Sequence, residues 1–167
     1  MNKTEEGLWD YLKKHSDFVR GIRTLPPKFK YCCIEDFVLK NGKLFEISKI
    51  RPKYGEERFC FFNSYQLMIK EGYTYVEGFA MGVIPVNHAW CLDADGRVID
   101  PTWRPSLTRK FQGIAYIGVA LDRSFVIETA LQRKSYGVLD DWEGGFPLLT
   151  GAEGWRIREE KALKPQT

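Results

Sequence analysis

The sequence predicts an α+β domain in which helices pack around an antiparallel sheet, and three observations carry that prediction. Apolar residues recur at helical spacing in the first twenty residues and again from Cys60 onward. Short strand-like runs at 73–80, 87–92, 97–100 and 113–120 include two joined by turn residues alone, with a helix just before the central strands. No glycine-rich phosphate loop is present: Gly113-Ile-Ala-Tyr-Ile-Gly118 lacks the strand-turn-helix context that a dinucleotide fingerprint needs.

In chain order, Thr4 offers a side-chain oxygen to cap a helix from about Glu5, and Leu8, Trp9, Leu12, Phe18 and Val19 give that helix a packing face. Pro26-Pro27 ends it and opens an extended segment. Residues 34–40 and 43–47 flank Asn41-Gly42, the two-residue signal of a β-hairpin. A polar run at 48–57 leads to Phe59, after which a helix carries Cys60 in its first turn and stops at Gly72. The strands at 73–80, 87–92 and 97–100 follow, the last two joined by the turn cluster Asp93-Ala-Asp-Gly96. A further strand at 113–120 precedes a helical pattern at 121–133. The remainder, with Gly144-Gly145, Pro147 and a charged tail ending Lys-Pro-Gln-Thr, reads as loop-rich and partly mobile.

With 167 residues the chain can bury one proper core, so a single domain over 1–167 is expected. Its parts are an N-terminal helix and hairpin (1–50), a core (about 55–133) and a loop-rich region (134–167). Hydrophobic residues at 44% and charged residues at 28% place the chain in the folded class. The net charge of +3 gives no strong pull toward nucleic acid or a membrane, and the basic clusters at 28–30 and 104–110 read as solvated faces. No signal core or spanning segment is seen, so a cytoplasmic protein, bacterial or phage in type, is expected. Four cysteines in that setting read as free thiols rather than as a disulfide framework.

A thiol attacks carbonyls as thiolate, and a helix N-terminus favours that anion through its free amides and partial positive charge. Cys60 holds that position. It needs a basic partner, and of the two histidines His15 lies in the first helix, leaving His88. Asp100 sits on the next strand; with the turn centred near Ala94 and Asp95 it falls opposite or diagonal to His88, where a carboxylate can fix the imidazole tautomer. Cys60 as nucleophile, His88 as base and Asp100 as orienter form the candidate triad.

The run His88-Ala-Trp-Cys-Leu-Asp-Ala-Asp-Gly-Arg-Val-Ile-Asp100-Pro-Thr-Trp103, with Cys60 upstream, resembles the His-Ala-Trp, Asp-Pro-Thr signature of transglutaminase-like proteins within the papain-like cysteine superfamily. The resemblance covers about 59–103. It implies a papain-like core, a Cys-His-Asp triad and acyl chemistry on amides or esters: a hydrolase or acyltransferase of peptidase, deamidase or transglutaminase type. Phe61 and Phe62 depart from the small residues more usual after the cysteine, which points to a narrower or differently shaped cleft. The Cys60 amide is expected to donate to the oxyanion. Tyr54 is the candidate for a second donor, set against an ordinary surface tyrosine. Asn63 and Trp90 are cleft candidates, set against helix packing for Asn63 and Gln66 and strand packing for Trp90; Trp103 reads as packing. The expected partner is a protein or small-molecule amide substrate.

Two other readings compete. Cys60, His88, Cys91 and Asp100 include zinc-type ligands, but strand positions 88 and 91 point to opposite faces and no Cys-x-x-Cys completes a site, so no metal is expected. No cofactor is implied, and no acidic loop has calcium-ligand spacing. Cys32 and Cys33, being adjacent, are expected on opposite faces in a structural role. The second reading is a non-catalytic protein-binding module that keeps the fold, since a fold does not fix an activity.

Overall fold

The computed structural model describes residues 1–103 and 114–157. Among them are four helices and a five-stranded antiparallel sheet: α1 (Lys3–Ile22), α2 (Ile34–Asn41), β1 (Lys43–Leu44), α3 (Cys60–Glu71), β2 (Thr74–Met81), β3 (Pro85–Leu92), β4 (Val98–Ile99), β5 (Ala115–Ala120) and α4 (Arg123–Arg133). The fold is α+β, as the sequence predicts. The basic cluster at 104–110, Gly113 and the charged tail lie outside the described residues.

Local chemistry explains where the expected boundaries move. Asn2, not Thr4, caps α1: its side chain accepts from the Thr4 and Glu5 amides while the Glu5 carboxylate accepts from the Asn2 amide, a reciprocal box that starts the helix two residues early. The buried stripe of α1 is Thr4, Leu8, Leu12 and Ser16 at a spacing of four, whereas Phe18 is 63% exposed. The helix ends at Ile22, ahead of Pro26-Pro27.

The expected hairpin at 34–47 is replaced by a helix and a two-residue strand. Phe37 and Val38 are buried and Ile34 packs beside them, the i, i+3, i+4 spacing of a helix face. Asn41-Gly42 closes this helix instead of turning a hairpin: the Asn41 side chain donates to Phe37 O and the Gly42 amide to Val38 O. Cys33 is the N-cap residue of α2, which brings the Cys32 and Cys33 sulfurs to 3.8 Å; they do not point to opposite faces.

The sheet runs β1-β5-β2-β3-β4. The segment after β1 reaches the far edge, where Val98 N donates to Glu46 O and Ser48 N donates to Val98 O. One piece of chain thus touches both edges, and the sheet curls. Strand alternation then makes two cores. Tyr75, Phe79, Ala89, Cys91, Ile117 and Val119 pack toward the helices, and Phe45, Val76, Trp90, Leu92, Val98 and Tyr116 fill the inside of the curl. Gly78 faces Gly118 across β2 and β5. A Cβ on Gly118 would stand 2.6 Å from Trp90 Cη2 and 2.7 Å from Glu77 O, so the fully buried indole occupies the space a side chain there would need. Gly118→Ala is expected to lower the unfolding free energy by about 1–3 kcal/mol through overpacking. The readout is the urea midpoint at unchanged slope.

The loop-rich region after α4 is not loose. Val138, Leu139, Leu148, Leu149 and Trp155 are buried in the helix-side core, so 134–157 is part of the domain's packing.

Candidate active site

Helix α3 begins at Cys60 itself, after Phe59 as N-cap, and ends where Gly72 takes the left-handed conformation at φ 75. The chain enters through Arg58 at φ 71, a conformation few non-glycine residues adopt, and this bend sets the first helical turn. Cys60 is the first helical residue, so its amide has no acceptor within the helix. Helix and sheet are joined where the Cys91 thiol donates to Ser64 O at 3.3 Å.

His88 lies on β3 with its ring on the inner side of the curl, beside Trp90. Its Nε2 is 2.7 Å from Asp100 Oδ2, and both side chains are buried. The β3–β4 register pairs Cys91 with Ile99 and Leu92 with Val98, which centres the turn on Asp95 and puts Asp100 diagonal to His88. The Cys60 thiol stands near enough to the His88 ring to help raise its pKa. With Nε2 taken by Asp100, Nδ1 is the nitrogen left for the sulfur. The structure therefore joins His88 to Asp100 directly and sets Cys60 near enough to act on the ring's charge.

Four donors converge on the Asp100 carboxylate. Oδ1 accepts from the Thr102 and Trp103 amides at 2.8 and 3.0 Å, and Oδ2 accepts from Tyr116 Oη at 2.8 Å besides the His88 bond. Burial pushes the Asp100 pKa up, but the His88 charge and these bonds outweigh it and hold the carboxyl below its usual range. Burial likewise pushes His88 down, yet Asp100, by charge and hydrogen bond, and then Cys60 lift it from 6.5 to about 9. Burial, followed by the Asp100 charge, drives the Tyr116 phenol far above 10, so it stays a donor.

Sequence reasoning did not find Tyr116 or the part played by Trp103. Trp103 stacks on the His88 ring, with centroids 4.7 Å apart and planes 30° apart, so its packing surface is the imidazole itself. Trp90 is fully buried inside the curl and walls no cleft. Asn63 spends both amide hydrogens, donating to Glu56 O at 2.7 Å and Thr102 Oγ1 at 3.0 Å; Gly55 N also donates to Pro101 O. These bonds tie the loop before Cys60 to the loop after Asp100, which makes Asn63 a tether rather than a cleft donor. Tyr54 lines a cavity of about 250 Å³ on the Asp100 side, together with Ile47, Ile50, Trp103 and Tyr116. His15 lies within 3.5 Å of Glu35, on α1. Cys91 points to the helix side, away from His88, and among the described residues no group of three or more His, Cys, Asp or Glu is arranged to hold a metal.

Tyr116→Phe is expected to move the His88 titration above about 9. Loss of the phenol leaves more of the Asp100 charge for the imidazole, and a charge-assisted bond of this type contributes about 1.5–3 kcal/mol. Ring-nitrogen NMR across pH checks this; an unmoved titration would uncouple Tyr116 from the ring.

Among the described residues no helix is long and apolar enough to cross a membrane. No protein-family model, no curated protein and no solved structure matches this chain.

Proposed function

We propose that this chain is a cysteine-dependent amide or ester hydrolase or acyltransferase of the transglutaminase-like kind, built on a papain-like core. The observation that carries the reading is one cluster: Cys60 at the start of α3, near enough to His88 to raise its pKa, and a His88 Nε2 that is 2.7 Å from a buried carboxylate. In this mechanism the sulfur attacks a carbonyl while the proton rests on His88, Asp100 holds the ring, and the Cys60 amide donates to the oxyanion. His88 then gives its proton to the departing amine or alcohol. Water or a second amine resolves the thioester.

Asn63 and the Gly55–Pro101 bond support this reading, because they fix the thiol-bearing and carboxylate-bearing loops relative to each other. One observation favours the second reading, a binding module that keeps the fold. Cys60 is only 8% exposed and His88 2%, so a substrate has little room until neighbouring side chains move.

Incubation with a panel of activated amides and esters, followed by intact-mass and peptide mapping, separates the two. The enzyme reading expects one acyl adduct, on Cys60, absent from Cys60→Ala and strongly reduced in His88→Ala. No adduct across a broad panel, or slow and equal labelling of all four cysteines by iodoacetamide, favours the binding module.

A further inference from the structure

Outside the candidate active site, Cys32 and Cys33 bring two thiols together among the described residues. Their sulfurs stand 3.8 Å apart at the start of α2. Both residues line a cavity of about 500 Å³ whose other walls include Leu25, Pro26, Phe29, Phe146 and Leu149. That volume falls in the range of small-molecule sites, and apolar walls with a few placed polar groups are their usual composition. Cys32 is buried, with its thiol held against Ser16, and Cys33 is partly exposed, so the pair is reached from one side.

Three kinds of chemistry use two close thiols, and the geometry separates them. A direct disulfide fits poorly. Adjacent Cα atoms lie about 3.8 Å apart, short of the usual range of about 4.4–6.8 Å for bridged cysteines, and the sulfurs would have to close to about 2.05 Å. A closed metal site needs two further ligands, and none completes a group among the described residues. A soft centre bonded to both sulfurs that carries its own third substituent needs nothing more from the protein. Two bonds of about 2.3 Å, the length of a zinc–thiolate bond, span the 3.8 Å gap at an angle of about 110°, close to tetrahedral.

We infer that Cys32 and Cys33 form a dithiol binding site for a trivalent arsenical bearing an apolar substituent, with arsenic bridging the sulfurs and the substituent in the adjoining cavity. The bonding step is a condensation without change of oxidation state. An organoarsenic oxide and two thiols give a dithioarsinite and one water: the arsenic–oxygen bond breaks, two arsenic–sulfur bonds form, and the two thiol protons leave on the oxygen. The protonation state suits this. Burial, the largest influence, lifts the Cys33 thiol to about 12, so it stays a protonated thiol and a poor target for alkylation and thiolate exchange. The site is independent of the triad.

Phenylarsine oxide, titrated into the full chain and followed by intact mass, tests it. The expected result is one adduct per chain, retained in Cys60→Ala, lost in Cys32→Ser and in Cys33→Ser, and stripped by a dithiol but not by an equal concentration of monothiol. Arsenite, which has no ring for the cavity, is expected to compete poorly. Should either serine variant misfold by circular dichroism, peptide mapping of the wild-type adduct decides, with both sulfurs of the 32–33 peptide expected to be blocked. No adduct, an adduct mapping to Cys60 or Cys91, survival in either folded serine variant, or arsenite binding as well as the phenyl compound would overturn the inference.

Discussion

Under the proposed mechanism, Asp100→Asn is expected to slow acylation of Cys60 by about 10³–10⁴-fold, the scale at which a nucleophilic triad loses rate when its imidazole is held in the wrong tautomer. All four groups around this carboxylate donate to it. An asparagine must place its NH2 against two of them. Facing Thr102 and Trp103 it would leave two backbone amides without an acceptor, so the NH2 turns toward His88 and Tyr116. The Tyr116 hydroxyl can rotate to accept, but Nε2 can accept only if the ring proton moves to Nδ1, the nitrogen left for the sulfur. A neutral ring in the variant then carries its one proton on Nδ1 and cannot take the thiol proton there, so the thiolate–imidazolium pair does not form. Loss of the charge also removes the main influence that lifts His88 from 6.5 to about 9, leaving burial to push it down. The wild-type rate should therefore fall as pH rises through about 9, and the Asn variant should lose its imidazolium at much lower pH. Single-turnover acylation measured across pH reads both effects. A variant within tenfold of wild type at neutral pH would remove Asp100 from the mechanism.

The same pair affects stability with a defined sign. His88 has a raised pKa, so its contribution is complete below 6.5 and is lost as pH rises through about 9. Asp100 is depressed, so its contribution is present above the ordinary carboxylate pKa and lost as pH falls through the lowered one.

The helix N-terminus at Cys60, the stop at Gly72 and the two central strands were legible because each combines a period with punctuation. The turn placed Asp100 opposite or diagonal to His88, and its centre on Asp95 makes the placement diagonal. Helix α2 was misread because eight residues give barely two turns of periodicity, too few to outweigh Asn41-Gly42, which serves equally to end a helix. The curl was hidden because it depends on hydrogen bonds between Glu46, Ser48 and Val98, about fifty residues apart and with no local pattern. Tyr116 had a weak signal, an aromatic among small and aliphatic residues on β5. What it touches depends on strand order, because β5 pairs with β2 and not with β4. Trp103 could be assigned to packing from sequence, but not to packing on His88. A clearer signal was Glu77, one charge in an apolar strand.

Glu77→Ala is expected to be the most destabilising substitution outside the site, at about 3–5 kcal/mol, because it orphans buried donors and leaves a void. The Glu77 carboxyl is fully buried in the middle of the sheet, where it accepts from Tyr75 Oη at 2.7 Å, from the Val138 amide at 2.7 and 2.9 Å, and from the Leu139 amide at 2.9 Å. It thus fastens the segment after α4 to β2, and this explains how a stretch without regular structure can pack in the core. Two amides left without an acceptor cost about 1–3 kcal/mol each. Hydrogen exchange at Val138 and Leu139 should rise in the variant before it rises in β2 or β3. The pH dependence separates the charge from the hydrogen bonds. Burial, the largest influence, lifts Glu77 from 4.5 to about 7 against the pull of the Leu139 and Val138 amides and the Tyr75 hydroxyl. Its raised pKa makes its contribution complete below 4.5 and progressively lost as pH rises through about 7, a change on the order of 3 kcal/mol. Glu77→Gln keeps the shape and cannot ionise. The difference in unfolding free energy between wild type and Gln, from urea melts at matched pH, should shift in favour of Gln between pH 4.5 and 8. A flat difference would mean that the donors around Glu77 fully compensate the buried charge.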